Sequence, residues 1–237
     1  MKNVKLIRKA KYMLYGMGIH KFLPSSKLNF LGHTAGVSSW IKKYGKLHYS
    51  SFPNSDFRYD KREGLYQFVL DNEVKTDPIN YLEFGVSRGT SFKWWVANHE
   101  HPESRFFGFD TFTGLPEDWG PFKKGAMSNG NEPPKIDDTR HSFYQGIFQK
   151  TLYSFLENYN PDKKQVIHLD ADLYSATLFV LTTLSPHLKK GDILIFDEFN
   201  VPMHEYKAFT EWADSFYINY KPIGETNNYL QVAIRLE

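Results

Sequence analysis

Five short apolar runs in this chain end on polar residues: Glu83, Asp110, Gln145, Asp170 and Asp197. Four of the five are acids. A strand end that serves only packing has little use for a carboxylate, so their recurrence points to a site. In a doubly wound sheet Asp170 and Asp197 would end adjacent strands, and their carboxylates would converge beyond the strand ends. Asp172 and Glu198 follow close behind. Three or four uncompensated acids in one cleft repel one another. A divalent cation removes that penalty, and all-oxygen ligation favours magnesium, calcium or manganese over zinc. The competing role for any one of these acids is capping, since Asp172 could start one helix and Asp197-Glu198 could precede another.

Glu83 opens the segment Glu83-Phe84-Gly85-Val86-Ser87-Arg88-Gly89-Thr90-Ser91, a strand end, a glycine turn and a helix start. Glycines let the backbone pass close to a ligand, and a helix start offers free N–H groups. The dinucleotide fingerprint requires glycine where Ser87 stands, and the phosphate loop requires a lysine that Gly89-Thr90-Ser91 lacks. The acid at the strand end also opposes phosphate. E-x-G-x-x-x-G instead resembles the first motif of class I methyltransferases. Their cofactor, S-adenosylmethionine, has no phosphate, and its cationic parts suit a carboxylate. Asp110 ends the next strand and is placed to accept both ribose hydroxyls. We place Glu83, Gly85, Gly89, Thr90, Ser91, Asp110, Thr111 and Gln145 on the cofactor side.

The elements that must position these residues alternate. After Pro78 the chain reads as strand (81–84), helix (90–98), strand (105–110), weak strand (143–145), helix (151–158), strand (165–170), helix (176–188), strand (192–197) and helix (205–217). Two last strands, 220–225 and 229–235, flank Thr226-Asn227-Asn228 as a hairpin. The order predicts an α/β, Rossmann-like fold, a mostly parallel seven-stranded sheet with a terminal antiparallel hairpin. Upstream, 4–19 fits a helix with Ile7, Ala10, Leu14 and Met17 on one face, and 62–72 fits another. Glycine, proline and serine punctuate 20–57, which predicts loops with short helical pieces. Residues 119–140, rich in Gly, Pro and Asn, read as a flexible cover over the cleft. Residues 1–60 are expected to form a basic helical and loop extension, and 61–237 the catalytic domain.

Taken together, Glu83 to Gly89, Phe109-Asp110-Thr111-Phe112-Thr113-Gly114-Leu115-Pro116, residues 145–152, residues 169–175 and Phe196-Asp197-Glu198 resemble the macrocin O-methyltransferase family. These are magnesium-dependent sugar O-methyltransferases of antibiotic pathways and their bacterial relatives. The resemblance spans about residues 60–235. It implies that Asp110 binds the cofactor ribose, that Asp170, Asp197 and Glu198 hold magnesium or another divalent cation, and that Asp172 is the general base beside the acceptor hydroxyl. Where the family often has two aspartates, this chain has Asp197-Glu198, and glutamate reaches one methylene further. The acceptor would be a small molecule or glycan, and relatives of this fold commonly form homo-oligomers. A metal-independent small-molecule methyltransferase and a non-catalytic scaffold on the same fold are the alternatives.

Bulk properties set the outer limits. The 237 residues are 41% hydrophobic and 24% charged, enough to bury a core. The chain has no cysteine, which removes disulfides, thiolate metal sites and a cysteine nucleophile, and fits a reducing cytoplasm. No apolar run is long enough to span a bilayer. Residues 1–55 carry ten Lys or Arg and no acid, whereas the remainder sets 19 basic residues against all 27 acids. That arm is suited to an anionic membrane surface, at the inner face of the membrane, or to a phosphorylated substrate. No base-reading module accompanies it, so nucleic acid is not an expected partner.

Overall fold

A computed structural model describes residues 2–237; Met1, which opens the basic stretch, lies outside the described residues. Among the described residues, seven α-helices and seven strands alternate much as the periodicity predicts. The chain begins with α1 (Lys2–Gly16), α2 (Ser25–Tyr44) and α3 (Lys61–Val69). The sheet and its helices follow as β1 (Ile79–Phe84), α4 (Thr90–Asn98), β2 (Arg105–Asp110), β3 (His141–Gln145), α5 (Phe148–Leu156), β4 (Lys164–Leu169), α6 (Tyr174–Leu184), β5 (Ile193–Phe196), α7 (Glu205–Ser215), β6 (Tyr220–Thr226) and β7 (Gln231–Leu236).

The strand order is β3-β2-β1-β4-β5-β7-β6, with only β7 antiparallel to its neighbours. The order reverses between β1 and β4, the place where such sheets bind ligands. Register aligns the strand ends there. Phe84 pairs with both Phe109 and Leu169, and Leu169 pairs with Phe196. The next residue on each strand continues the ladder: Gly85 donates to the Phe109 carbonyl at 2.9 Å, Asp170 to Phe84 at 2.9 Å and Asp197 to Leu169 at 3.0 Å. The acids at these ends therefore form a row instead of being scattered.

Both faces of the sheet are covered, which explains the near-continuous apolar strands. Leu82, Phe84, Phe109, Ile167, Leu169 and Phe196 belong to the core on one face. Tyr81, Phe106, Val166, Ile193 and Ile195 belong to the core on the other.

The sequence predicts loops over 20–57, but 25–44 is one helix. Two of its glycines and four of its serines lower helix propensity. Docking overrides them: Val37 and Trp40 are buried, and Trp40 lies 4.8 Å from Phe199, ring to ring. Gly36 allows this approach, since a Cβ there would stand 2.9 Å from the Tyr206 hydroxyl. The chain beyond α2 also packs on the sheet, where Glu225 Oε1 accepts the Ser50 hydroxyl at 2.7 Å and Tyr49 bridges to Gly224. Residues 119–140 hold no helix or strand, and Pro134 lies against Gly89.

Candidate active site

The glycine turn is shaped by its neighbour strand. Gly85 has φ +100°, and a Cβ on it would come within 1.8 Å of the Asp170 carbonyl oxygen. Only glycine lets the first and fourth strand ends lie this close. The space they frame is a cavity of about 340 Å³ lined by Gly85, Ser87, Asp110 and Thr111 on one side and by Asp170 and Asp172 on the other. Asp110 ties the two loops at its rim. One carboxylate oxygen accepts the Ser87 N–H and the other the Phe112 N–H, both at 2.6 Å.

The remaining expected cofactor-side residues stand elsewhere. Glu83 is fully buried beneath the turn, where it accepts hydrogen bonds from Ser91 Oγ at 2.7 Å and from the Tyr81 hydroxyl. Thr90 and Gly89 begin α4 behind the turn, and Gly89 faces Pro134. Gln145 is exposed and donates to Asn131 Oδ1 at 2.7 Å, fastening β3 to the long loop. Within the row, Gly85, Asp110, Thr111, Asp170 and Asp172 meet at the cavity.

Period-two geometry explains what lies under the row. Tyr81 and Glu83 share one face of β1, and Glu83 pairs in register with His168. His168 is fully buried, with Nδ1 2.9 Å from the Tyr81 hydroxyl and 3.6 Å from Glu83, and Nε2 3.8 Å from Asp197. Burial alone would push its pKa down. Asp197 and Glu83 outweigh this and raise it to about 10, so it is an imidazolium at neutral pH. Arg62, projecting from α3, completes the arrangement: its Nη1 is 3.2 Å from Asp197 Oδ2 and 3.9 Å from Asp170 Oδ2. Although burial works against it, the Asp197 carboxyl is held below its ordinary value by His168 and Arg62.

The other acids of the row are less well answered, Asp170 having only the 3.9 Å contact with Arg62. Glu198 Oε2 and Glu205 Oε1 are buried without a hydrogen bond. The second oxygen of Glu205 accepts the Glu198 backbone N–H at 2.8 Å. Burial and then neighbouring acids push Asp170, Glu198 and Glu205 well above the usual carboxylate range. Asp172 is pushed up to about 7 by burial, with Asp197 and Asp110 adding to it. Its backbone is left-handed, φ +58°, which turns the side chain at the mouth of α6.

Two groups of these side chains could share an ion: His168, Asp170 and Asp197, and Asp170, Asp172 and Glu198, with ligand atoms in each set within 4.8 Å of one another. In the first set Asp197 already has Arg62 and His168 beside it, at 3.2 and 3.8 Å. The second fits a hard divalent cation: it is all-oxygen, and it contains an orphaned buried carboxylate oxygen. Arg62 and His168 escaped the sequence reading. His168 carried a signal, since it lies two residues before Asp170 and so on the same face.

The strand order is that of the class I methyltransferase fold. Residues 82–199 match the family described as a methyltransferase domain. The calicheamicin methyltransferase CalS11 is 23% identical, with a TM-score of 0.57 over 74% of this chain and 77% of that one. The O-methyltransferase NovP is 21% identical, with a TM-score of 0.57 over 74% and 79%. The apo structure of CalS11, described as a TDP-rhamnose 3'-O-methyltransferase of calicheamicin biosynthesis, is 22% identical, with a TM-score of 0.55 over 86% and 93%. No curated protein matches by sequence. Residues 82–199 thus resemble a methyltransferase domain, and the chain has the class I methyltransferase fold that its motifs led us to expect.

Proposed function

We propose that the protein transfers a methyl group from S-adenosylmethionine to a hydroxyl of a sugar or glycosylated small molecule, in natural-product or glycan biosynthesis and in the cytoplasm. The observation that carries this reading is a single cavity with the glycine turn and Asp110 on one side and Asp170 and Asp172 on the other. Each Asp110 oxygen keeps a lone pair beyond its backbone bond and can accept a ribose hydroxyl. Asp172 faces the same space. A carboxyl near 7 is matched to taking a hydroxyl proton at neutral pH. Since the donor sulfonium is already activated, positioning in the cleft supplies much of the rest. A sugar acceptor is favoured by the motif resemblance and by the rhamnose methyltransferase among the structural neighbours.

Asp170 and Glu198 would hold magnesium or a similar divalent cation, with Asp172 beside it. When bound, the ion would neutralise the acids and acidify a ligated hydroxyl. Arg62 keeps Asp197 oriented and spares it from the ion. The same contact favours a second reading, a metal-independent methyltransferase in which Arg62 and His168 offset the acid row.

The test combines calorimetry with S-adenosylmethionine and transfer assays over nucleotide sugars and glycosylated small molecules. Asp172→Asn should bind the cofactor like the unaltered protein and turn over no acceptor; undiminished turnover would remove Asp172 as base. Activity lost in chelator and restored by magnesium supports the first reading, and activity indifferent to chelator supports the second.

A further inference from the structure

The methyltransferase site uses nothing from α1, yet α1 has a definite pattern. On a helical projection Leu6, Ile7, Ala10, Met13 and Leu14 share one face, which Met17 continues in the turn, and Lys5, Arg8, Lys9 and Lys11 lie on the other with Val4, Tyr12 and Tyr15 among them. Every residue from 3 to 17 is exposed. The large side chains of the apolar face are between 44% and 70% exposed, so nothing in the fold covers it. Exposure continues through Phe22, Leu23, Phe30 and Leu31, beside Lys21 and Lys27. The C-terminal half of α2 is the opposite: Val37 and Trp40 fasten it to the core. α2 is therefore a rod with one end docked on the catalytic body and the other presenting α1.

We propose that α1 and the turn after it lie in the interfacial plane of an anionic phospholipid bilayer and hold the enzyme at that surface. An apolar stripe backed by lysine and arginine is the composition that lies in a headgroup region. No helix among the described residues is long and apolar enough to cross a membrane, so α1 rests on the surface. Charge selects the occupant. Residues 1–55 contain no acid, so a second copy of the helix would set basic rims against basic rims. A nucleic acid would answer the charge and leave the apolar stripe in water. An anionic bilayer satisfies both faces.

The experiment is co-sedimentation of the full chain with vesicles of phosphatidylcholine alone and of phosphatidylcholine mixed with phosphatidylglycerol. The unaltered protein should pellet with the mixed vesicles and stay in solution with the neutral ones. Neutralising Lys5, Arg8, Lys9 and Lys11 to glutamine should weaken binding by roughly fivefold per residue. The double variant Ile7→Asp, Leu14→Asp should lose binding even at low salt. Both variants should melt with the unaltered protein, since these side chains touch no part of the core. A Leu14→Trp variant should shift its emission to the blue on the mixed vesicles. Equal pelleting of the Ile7→Asp, Leu14→Asp variant overturns the proposal. So does a dimer in the analytical ultracentrifuge that this variant dissolves while neither protein pellets.

Discussion

Replacing Arg62 by methionine keeps an unbranched apolar stem and removes the charge. In the native fold the guanidinium is 3.2 Å from Asp197, with only 15% of the Arg62 side chain and 2% of the Asp197 side chain exposed. At an effective dielectric of 20 the attraction at that distance is about 5 kcal/mol, much of it offset by desolvation of the two groups. Removing one partner alone leaves a buried charge, which typically costs about 3–5 kcal/mol. His168 remains on the other side of Asp197, so we expect the low end, about 3 kcal/mol. The pH dependence separates this from lost packing. The native Asp197 carboxyl is depressed, so its contribution is present above the ordinary value of 3.8 and fades as pH falls through the folded value. Arg62→Met should therefore differ most from the unaltered protein at neutral pH, and the gap should close in acid. Urea unfolding followed by tryptophan emission at pH 7 and at a pH well below 3.8 measures it. A loss below about 1 kcal/mol at pH 7, or one independent of pH, would refute the reasoning.

Three further perturbations test the frame. Gly85→Ala places a Cβ against the Asp170 carbonyl at a positive φ, so it should cost upward of about 3 kcal/mol and abolish S-adenosylmethionine binding, as read by thermal melting and calorimetry. Trp40→Ala removes the aromatic that docks α2 against Phe199 and Tyr220, and should lower the unfolding free energy by about 3–5 kcal/mol in urea. Asp138 is held below its ordinary value by Arg140, which also donates to the Val96 and His99 carbonyls. That contribution is present above 3.8 and lost as pH falls through the folded value, so Asp138→Asn should be less stable at neutral pH and converge with the unaltered protein in acid. Urea midpoints against pH would show it.

The sheet was legible because its strands, buried on both faces, read as apolar runs ending in acids, and period alone located β1, β2, β4 and β5. α2 was not, because Gly32, Gly36 and the serine pairs are loop residues by propensity. The helix exists because Gly36 lets it approach Tyr206 and because Trp40 finds Phe199. The acid row was legible for a related reason: each acid follows a strand, and parallel register brings strand ends level. The cations beneath it were not. Arg62 lies on a helix well before the first strand, and only the packing of α3 against β6, β7 and α4 brings it to Asp197. Nothing local in residues 61–69 distinguishes it from Lys61 or a surface arginine.

Those cations decide how many of the acids need a further counter-charge. His168 and Arg62 stand against six carboxyls: Glu83, Asp170, Asp172, Asp197, Glu198 and Glu205. His168 serves Glu83 and Asp197 together, and Arg62 sits closer to Asp197 than to Asp170. Asp170, Asp172, Glu198 and Glu205 are left, and all four titrate above the usual range. In the absence of an ion, such carboxyls keep protons that a divalent cation must displace, because ligands bind as carboxylates. Magnesium binding at neutral pH should then release protons, and affinity should rise with pH. Calorimetry in two buffers of different ionisation enthalpy counts them. Release of about one proton or more is expected, and it should fall in Glu198→Gln. Binding with no proton release would mean that the acid row is already ionised and balanced by Arg62 and His168 alone.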